Sequence, residues 1–464
     1  MPVNSFEDYP MTWKPHILKS GSVPLHLEIA EKLEHDIRDG VILPNEKLPP
    51  QRELADYLDV NLSTIAKAFK ICAAKGLITG EVGRGTFVSA DVLSNLPILD
   101  ERGLEHCINL GASHPMYGED IYVGRTLKRL LRKTNLLSDI LKYTGTRGRD
   151  RHKQSGAKWI ASYGLQVSPD QVLLTSGLQN ALAVTLISLF RYGDKILTNA
   201  VIYSGFKNIA NNLGIQLLPV PYMDQKIDLH SLVQLCKANT IQGIYLIPDH
   251  QNPTTLYMSR EERAAIAEIA QKYRLICIED ASFSFLHPTP RIPITKLIPE
   301  QSVYIASVSN ALSPGFRIAF VYMPAAFAER MINGNSNINI MAPPLEAEVV
   351  SQLIEYGAAQ KMIEEKRAEL NVRNQLVERY FPRHLLWGDA YSQFRWLLLP
   401  KHWTGTQFEQ ISKQKGVQVF GCERFIVGKS NVPSAARLAI STPRSRELLE
   451  QGVSILAEVL DQHP

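Results

Sequence analysis

The sequence predicts a multidomain protein in which a small unit of helices and a β-hairpin precedes a larger α/β domain and a smaller α+β subdomain. Three observations predict this order. Apolar residues fall at helical spacing between residues 24 and 77 and then alternate within a glycine-containing stretch at 78–90. Short apolar or β-branched runs then alternate with longer helical segments, which is typical of a mainly parallel sheet. Residues 365–464 combine a long helical segment with further strands and helices.

Length and composition limit the kind of protein this can be. With 464 residues the chain is too long for one ordinary core, since domains commonly have about 100–200 residues. A hydrophobic content of 45% excludes a mainly disordered chain, and a net charge of +4 neither requires nor excludes a nucleic-acid partner. The five cysteines lie far apart without metal-ligand spacing, and no segment resembles a signal peptide or a membrane span. We therefore expect a cytoplasmic protein without a membrane partner.

The first unit is assigned to residues 22–90. Its first amphipathic helix ends at Asp39 and Gly40, and the strings LPPQRELADYL and NLSTIAKAFKICAAKGL predict two further helices joined by a tight turn. The alternating string ITGEVGRGTFVSA predicts a β-hairpin. Residues 91–108 show no clear period and are assigned to an interdomain linker. The larger domain is therefore placed at 109–464, with its small subdomain from about residue 365.

The third helix and the hairpin carry residue types suited to DNA. The second helix of a helix-turn-helix enters the major groove, so it needs short polar side chains at its start and basic ones along its flank. Ser63 and Thr64 open this helix, and Lys67 follows one turn later. At the hairpin tip Arg84 lies between two glycines, which let the backbone approach the sugar-phosphate chain, and Thr86 follows. These residues predict a DNA-binding unit.

The ordered strings of this unit resemble the GntR-type winged helix across residues 22–90. The resemblance adds Arg52, in LPPQRELA, to the expected DNA contacts, and it implies such contacts for Ser63, Thr64, Arg84 and Thr86 as well. Members of that family often carry arginine in the first turn of the recognition helix, where this chain has Leu62. The operator sequence therefore does not follow from the resemblance.

The larger domain contains several strings that suit a phosphate-bearing ligand. LLTSGLQNALAV reads as a strand, a small-residue turn and a helix, which would present free backbone N–H groups to a phosphate. SVSNALSPGFRIAF adds hydroxyl and guanidinium groups. The candidate phosphate-binding residues are Ser176, Gly177, Leu178, Ser307, Ser309 and Arg317. In LICIEDAS, Asp280 follows a hydrophobic strand, and a buried acid needs a cationic partner such as a protonated pyridine nitrogen.

Together these strings resemble the fold-type I aminotransferases, which depend on pyridoxal 5'-phosphate, and more narrowly the MocR-type regulators over residues 22–460. The resemblance implies that Tyr203, in NAVIYSGF, stacks on the cofactor ring and that Asn252, in IPDHQNPTT, meets the ring hydroxyl. It also implies that Asp280 pairs with the ring nitrogen. Arg437, in AARLAIST, matches the arginine that binds the α-carboxylate of a substrate or effector.

Three departures from the family pattern decide the expected chemistry. Asn310 stands where the family has the lysine that forms the Schiff base, and an amide nitrogen is not a nucleophile. The loss also removes a general base, a role worth roughly 10²–10⁴ in rate. Ser282 and Thr255 replace a tyrosine and a glycine. We therefore expect no catalytic residue and no enzymatic activity, with pyridoxal 5'-phosphate bound noncovalently at the Asn310 site or not at all.

The origin of Asn310 has two explanations, a natural variant or an introduced Lys-to-Asn substitution. The further departures at Ser282 and Thr255 favour the natural variant.

Three functions follow from this sequence. The favoured one is a sequence-specific transcription regulator whose aminotransferase-like domain senses an amino acid, an amine or a vitamin B6 phosphate. The rivals are a DNA-linked aminotransferase and a DNA-binding protein whose aminotransferase-like domain is purely structural. The expected partners are an operator in double-stranded DNA, a small-molecule effector and a second copy of the chain, since winged-helix regulators read paired half-sites through two-fold symmetry.

Overall fold

The structure is a computed structural model of the 464-residue chain. It describes residues 11–17, 23–38, 41–44, 46–81, 83–89, 92, 107–116, 120–132, 134–428 and 430–462. The chain divides into two compact units, Met1–Arg102 and Gly103–Pro464.

The described residues of the first unit form three helices and a hairpin, in the predicted order. The elements are α1 (Leu25–Arg38), α2 (Gln51–Leu58), α3 (Leu62–Ala74), β1 (Ile78–Glu81) and β2 (Gly85–Val88). The two strands are antiparallel, with Ile78 opposite Val88, so Gly83 and Arg84 lie at the tip between them. A short third pairing extends this hairpin, because the amide of Leu48 donates to the carbonyl of Thr86 at 2.9 Å.

The core of the first unit draws on residues before its expected start at residue 22. Apolar residues such as Leu33, Leu54 and Phe69 form this core, and Trp13 is buried with them. The indole Nε1 of Trp13 donates to Asp36 at 2.9 Å, which satisfies a polar group that burial would otherwise leave unpaired. The segment at residues 11–17 therefore contributes to this unit.

The second unit begins with β3 (Ile108–Asn109) and continues into a large subdomain built on a seven-stranded sheet. The strands up to the end of this subdomain are β4 (Val172–Thr175), β5 (Lys195–Asn199), β6 (Gln216–Val220), β7 (Tyr222–Met223), β8 (Lys226–Ile227), β9 (Gly243–Leu246), β10 (Ile276–Asp280), β11 (Ser302–Ser307) and β12 (Ala319–Tyr322). The sheet order is β4-β12-β11-β10-β9-β5-β6, and every strand is parallel to its neighbours except β12. Its strands are almost wholly buried apart from the edge strand β6, as expected for a sheet with helices on both faces.

Helices surround this sheet and lead to the end of the subdomain. They are α4 (Asp120–Leu131), α5 (Thr134–Ile140), α6 (Asp150–Ala161), α7 (Leu178–Leu189), α8 (Ser204–Asn212), α9 (Leu229–Ala238), α10 (Arg260–Tyr273), α11 (Ile294–Leu297), α12 (Ala325–Asn339), α13 (Pro344–Glu355) and the long α14 (Ala358–Val377).

The small subdomain follows α14. Its elements are β13 (Leu386–Trp387), β14 (Arg395–Leu398), α15 (Gly405–Gln414), β15 (Val417–Gln418), β16 (Phe420–Gly421), β17 (Ala435–Leu438) and α16 (Arg446–Gln462). Four strands form an antiparallel sheet of order β13-β14-β17-β16, while β15 pairs in parallel with β3. Residues 108–110 therefore pack with this subdomain, although the sequence pattern predicts a linker up to residue 108.

None of the helices in the described part of the chain combines the length and the apolar character of a membrane span. Within the same residues, no cluster of His, Cys, Asp and Glu side chains is arranged to hold a metal ion.

Candidate functional site

The predicted ligand-site residues gather at one edge of the large sheet. Gly177 follows β4, Tyr203 follows β5, Asn252 follows β9, and Asp280 and Ser307 end β10 and β11. The carboxyl ends of parallel strands meet at one edge, and open α/β sheets bind ligands in the crevice there. The fold therefore places these separate strings in one region.

The candidate phosphate cup is formed by Arg317 and by the turn that precedes α7. Gly177 has φ 86°, and a Cβ at this position would lie 2.8 Å from Nη2 of Arg317, so only glycine allows the guanidinium so close to the turn. Nη1 of Arg317 donates to the Ser309 hydroxyl at 3.5 Å. The amide of Ser309 in turn donates to the buried Ser307 hydroxyl at 3.3 Å.

The expectation of free amides at this turn is wrong for two of its three residues. The Ser176 amide donates to the Asn180 side chain at 2.9 Å, and the Gly177 amide donates to the Thr175 carbonyl at 2.9 Å. Both amides are therefore already hydrogen-bonded within the local chain. Leu178 is the first residue of α7, where the amides of the first turn have no partner within the helix. The candidate phosphate donors that these bonds do not use are therefore the Leu178 amide and the Arg317 guanidinium.

Asp280 is a buried carboxylate held by neutral donors. One oxygen accepts the Ser282 amide at 3.0 Å and the Ser282 hydroxyl at 2.6 Å, and the other accepts the Tyr245 hydroxyl at 3.0 Å. Burial raises the pKa of Asp280, and no cation pairs with it in the part of the chain that the structure describes. Sequence reasoning missed Tyr245, although an aromatic hydroxyl in a buried strand usually needs a partner.

Tyr203 lies among the charged groups of the site. Its hydroxyl donates to the Gln179 side chain at 3.0 Å. Burial, together with the charge of Asp280, raises the pKa of Tyr203 to about 12, although the charges of Arg317 and Arg437 act in the opposite direction. These three charged residues are therefore close enough to one phenol to influence it together.

Arg437 is a buried guanidinium whose hydrogen bonds are all to neutral acceptors. Nη1 donates to the Asn252 side-chain oxygen at 2.8 Å, and Nη2 donates to the Gly111 carbonyl at 2.7 Å. Nε has no hydrogen-bond partner, and the Phe425 ring lies 4.8 Å from the guanidinium. Burial lowers the pKa of Arg437 to about 9. No carboxylate pairs with it among the described residues, so the charge of this buried cation is not neutralised there.

Asn310 lies half-buried after β11. Its carbonyl accepts a hydrogen bond from Nζ of Lys366 at 3.3 Å, and the Leu312 carbonyl accepts another from the same amine at 3.0 Å. Lys366 is fully buried on α14 and was not singled out from the sequence. This amine supports the backbone of the Asn310 loop.

Thr255 keeps a backbone conformation suited to glycine. Its φ is 64°, and the residue is buried. A β-branched residue with positive φ is uncommon because its Cβ crowds the backbone. The replacement of the usual family glycine has therefore left the local chain path in the left-handed region.

The predicted DNA contacts of the first unit fall on its surface. Ser63 and Lys67 are exposed on α3, and Lys70 continues the same helix face. The other candidates are Arg52, exposed on α2, Arg84, exposed at the hairpin tip, and the half-buried Thr64 and Thr86. Lys75, in contrast, pairs with Glu34 at 2.7 Å.

Comparisons with known proteins agree with both parts of this structure. The profile of the bacterial regulatory proteins of the gntR family matches residues 25–88, and that of aminotransferase class I and II matches residues 105–453. An uncharacterized HTH-type transcriptional regulator of Bacillus subtilis, YdeF, is 42% identical over 467 residues and covers 99% of each chain. The chain belongs to the HTH-type transcriptional regulators that carry a GntR and an aminotransferase domain. The MocR-type resemblance is therefore confirmed.

More distant relatives extend this picture. The probable rhizopine catabolism regulatory protein MocR of Rhizobium meliloti is 26% identical and covers 67% of this chain and 68% of its own. The crystal structure of LysN, an α-aminoadipate aminotransferase of Thermus thermophilus, superposes with a TM-score of 0.70 at 22% identity, covering 78% of this chain and 94% of LysN. The predicted fold class, a GntR-type winged helix followed by a fold-type I aminotransferase domain, is confirmed.

Proposed function

We propose that this regulator binds an operator in double-stranded DNA as a homodimer. In this proposal its aminotransferase-like domain binds an amino-acid-like or vitamin B6 phosphate ligand without a covalent bond and without catalysis. The observation that carries the ligand part is the pair Asp280 and Arg437, two buried charges of opposite sign that lack ion-pair partners among the described residues.

The polar surface of α3 and the hairpin tip supports the DNA part of the proposal. Ser63, Lys67 and Lys70 share one exposed helix face, as a helix that enters the major groove requires. Arg84 projects from the hairpin tip next to Gly83 and Gly85, which suits a contact with a phosphate or the minor groove.

The residues present fit pyridoxal phosphate as a noncovalent ligand. A buried carboxylate with a raised pKa gains a partner from a protonated ring nitrogen, so Asp280 would hold the pyridine. Arg317 and Ser309 would hold the phosphate, and Tyr203 would stack on the ring. When bound, the group supplies an electron-accepting ring.

Arg437 extends the proposed site toward a second anionic group. A guanidinium whose hydrogen bonds go only to neutral acceptors, with Nε unpaired, suits a carboxylate, which accepts two parallel hydrogen bonds. LysN was solved with N-(5'-phosphopyridoxyl)-L-leucine, which joins a vitamin B6 phosphate to an amino acid. A ligand with a phosphate, a pyridine and a carboxylate would match Arg317, Asp280 and Arg437 in turn.

The absence of catalysis is proposed from the chemistry of Asn310. Its amide is neither a nucleophile nor a proton-transferring base. The fully buried Lys366 amine donates to the Asn310 and Leu312 carbonyls, which holds it at the loop backbone. These contacts argue against the rival aminotransferase function.

An exposed apolar patch supports the homodimer. The amide of Thr144 donates to Sδ of Met341 at 3.2 Å, which brings the flanking chain segments together. Tyr143 is 81% exposed and Ile340 is 57% exposed, and the nearby Leu141 adds to the same patch. Patches of this kind on one protein commonly mark an interaction surface.

The test is calorimetric titration of the full chain with pyridoxal phosphate, alone and with amino acids, followed by borohydride reduction and mass spectrometry. We expect binding without a covalent adduct, lost in Arg317→Ala and kept in Arg330→Ala, an exposed arginine on α12. DNA fragments selected from a random pool should bind the chain with an affinity that the ligand changes. Failure of every ligand to bind would favour the purely structural rival, and failure to select DNA would overturn the regulator.

A further inference from the structure

A large cavity lies between the two subdomains of the second unit. Its volume is about 1120 Å³, and its walls come from residues within 224–226, 255–264 and 290–297 of the large subdomain and 383–389 of the small one. The residues of the proposed vitamin B6 site, including Asp280, Arg317 and Arg437, do not line it. The cavity is therefore a separate space, and it exceeds the roughly 300–1,000 Å³ of common small-molecule sites.

The first source of positive charge in the cavity is a pair of arginines that share one carboxylate. Asp249 accepts from Arg263 at 2.5 Å, and Nη1 of Arg291 lies 3.9 Å from the same oxygen. One negative charge thus serves two guanidinium groups, and the longer distance leaves Arg291 incompletely neutralised. The Arg291 guanidinium lies over the Tyr257 ring, 3.8 Å from its centroid, and both residues line the cavity.

A second shared carboxylate repeats this pattern in the small subdomain. Glu378 binds Arg395 at 2.7 Å, whereas Arg383 lies 3.8 Å from it with a side chain that is 89% exposed. Arg383 lines the cavity. Glu378 therefore mainly neutralises Arg395, and the charge of Arg383 adds to the positive potential of the cavity.

The remaining charged residues of the wall offset only part of this excess. They are Lys226 and Arg260 against Asp224, Glu262 and Asp389, one net negative charge, whereas each of the two shared carboxylates leaves one arginine charge uncompensated. Of the acids, Glu262 is used to cap α10, since it accepts the Ser259 amide at 2.9 Å. Asp389 accepts the Tyr391 amide at 2.8 Å, and Asp224 shares a hairpin with Lys226. The cavity thus favours an anionic occupant.

Apolar side chains provide the other requirement for an organic ligand. Trp387 and Leu256 line the cavity together with Ile292 and Leu297, which are 39% and 45% exposed. An indole face and exposed aliphatic groups are removed from water when a planar apolar body covers them, which favours binding.

We propose that this cavity is a second ligand site, for a planar organic anion. The anionic group, a carboxylate or a phosphate, binds Arg291 and Arg383, and the planar body packs on Trp387. The loop that carries Asn252 at the first site also carries Leu256 at the cavity, so one short segment contributes to both sites. This proposal goes beyond the vitamin B6 site and does not depend on it.

The test is calorimetric titration of the full chain with indole-3-acetate, with AMP and with uncharged indole-3-acetamide. We expect at least one of the two anions to bind. Comparison of indole-3-acetate with AMP then shows whether the site prefers a carboxylate or a phosphate. The uncharged amide should bind at least tenfold more weakly than the anion. Arg291→Ala and Arg383→Ala should each lower the affinity for the anion at least tenfold. Arg330→Ala, another exposed arginine, should leave it unchanged. Because the Arg383 side chain is 89% exposed, its removal should not impair folding.

Three results would overturn the proposal: neither anion binds, both arginine variants bind like the parent, or the amide binds as well as the anions. The variant Arg437→Ala distinguishes the two sites. This variant should weaken amino-acid-dependent binding at the first site and leave the affinity for the planar anion unchanged. Loss of the planar anion in Arg437→Ala would place that ligand in the vitamin B6 site and also refute the second site.

Discussion

The guanidinium of Arg437 donates to the Asn252 side chain at 2.8 Å, whereas its Nε has no hydrogen-bond partner. A buried cation without an anionic partner is costly to the fold, because desolvation is not offset by an ion pair. Functional sites commonly retain such unfavourable groups. A ligand carboxylate that accepts hydrogen bonds from Arg437 would therefore supply the missing anionic partner.

Replacement of Arg437 by methionine should separate stability from ligand binding. We expect Arg437→Met to unfold at the same temperature as the parent or higher, since it removes an unpaired buried charge. Amino-acid binding should weaken by roughly 10-fold or more, the equivalent of about 1.5–3 kcal/mol for hydrogen bonds to a charged group. Arg446→Met is the control. Arg446 pairs with Glu369 at 2.6 Å, so its loss should not raise the unfolding temperature and should leave binding unchanged.

The pH dependence of stability should report the burial of Asp280. Burial raises its pKa in the folded chain, so the carboxyl favours folding at low pH and loses this effect as pH rises through the folded pKa. We expect Asp280→Asn to match the parent near pH 4 and to be more stable at pH 7–8, while its affinity for pyridoxal phosphate falls. Thermal unfolding across this range measures the difference. A variant less stable than the parent at pH 8 would contradict the proposed cost of the buried charge.

The salt dependence of DNA binding should separate two lysines of the first unit. Lys67 is exposed on α3, whereas Lys75 pairs with Glu34 at 2.7 Å. Removal of one lysine–phosphate interaction should reduce the slope of log affinity against log salt by roughly 0.9. We therefore expect Lys67→Ala to weaken binding and reduce this slope, as should Arg52→Ala, with a smaller change for Lys75→Ala. Equal slopes for the parent and both test variants would refute the assigned DNA face.

The parts of the site that the sequence predicts are those encoded locally. Ser176 and Gly177 lie in a strand-turn-helix string, and Asp280 ends a hydrophobic run, so their places at strand ends follow from short patterns. The partners of these groups are remote in sequence. The Arg437 bond to Gly111 spans 326 residues, and the Lys366 bond to the Asn310 loop spans 56. Only the fold brings such groups together, which is why the amine beneath Asn310 was not predicted. The closed amides of the phosphate turn are a different case, because their partners Thr175 and Asn180 are near in sequence and the geometry of the short turn was misjudged.

The purified regulator should show no transamination with common amino acids and keto acids. The amide of Asn310 supplies no proton-transferring amine, and the Lys366 amine is occupied by two carbonyl groups. The measurement is single-turnover conversion of added pyridoxal phosphate to its amine form, compared with free cofactor in solution. Conversion faster than free cofactor would show that another lysine acts as the base, and Lys366→Met would then identify or exclude Lys366.

Asn310→Lys should create covalent cofactor binding. Arg317, Ser309 and Asp280 would already hold the phosphate and the ring, so a new amine at position 310 would lie close to the cofactor carbonyl. Burial should lower the pKa of this amine enough for it to react as a free base. Ser282 is the main obstacle, because its hydroxyl donates to Asp280 at 2.6 Å where the family pattern has a phenol.

Borohydride reduction and peptide mass spectrometry measure the outcome of this substitution. An adduct on the peptide that contains position 310, with none on the peptide that contains Lys366, would show that the binding residues persist without their nucleophile. The parent chain, treated in the same way, should give no adduct at either position. A folded variant that gives no adduct at saturating cofactor would mean that the pocket has been remodelled, and the purely structural role of the aminotransferase-like domain would then be the better account.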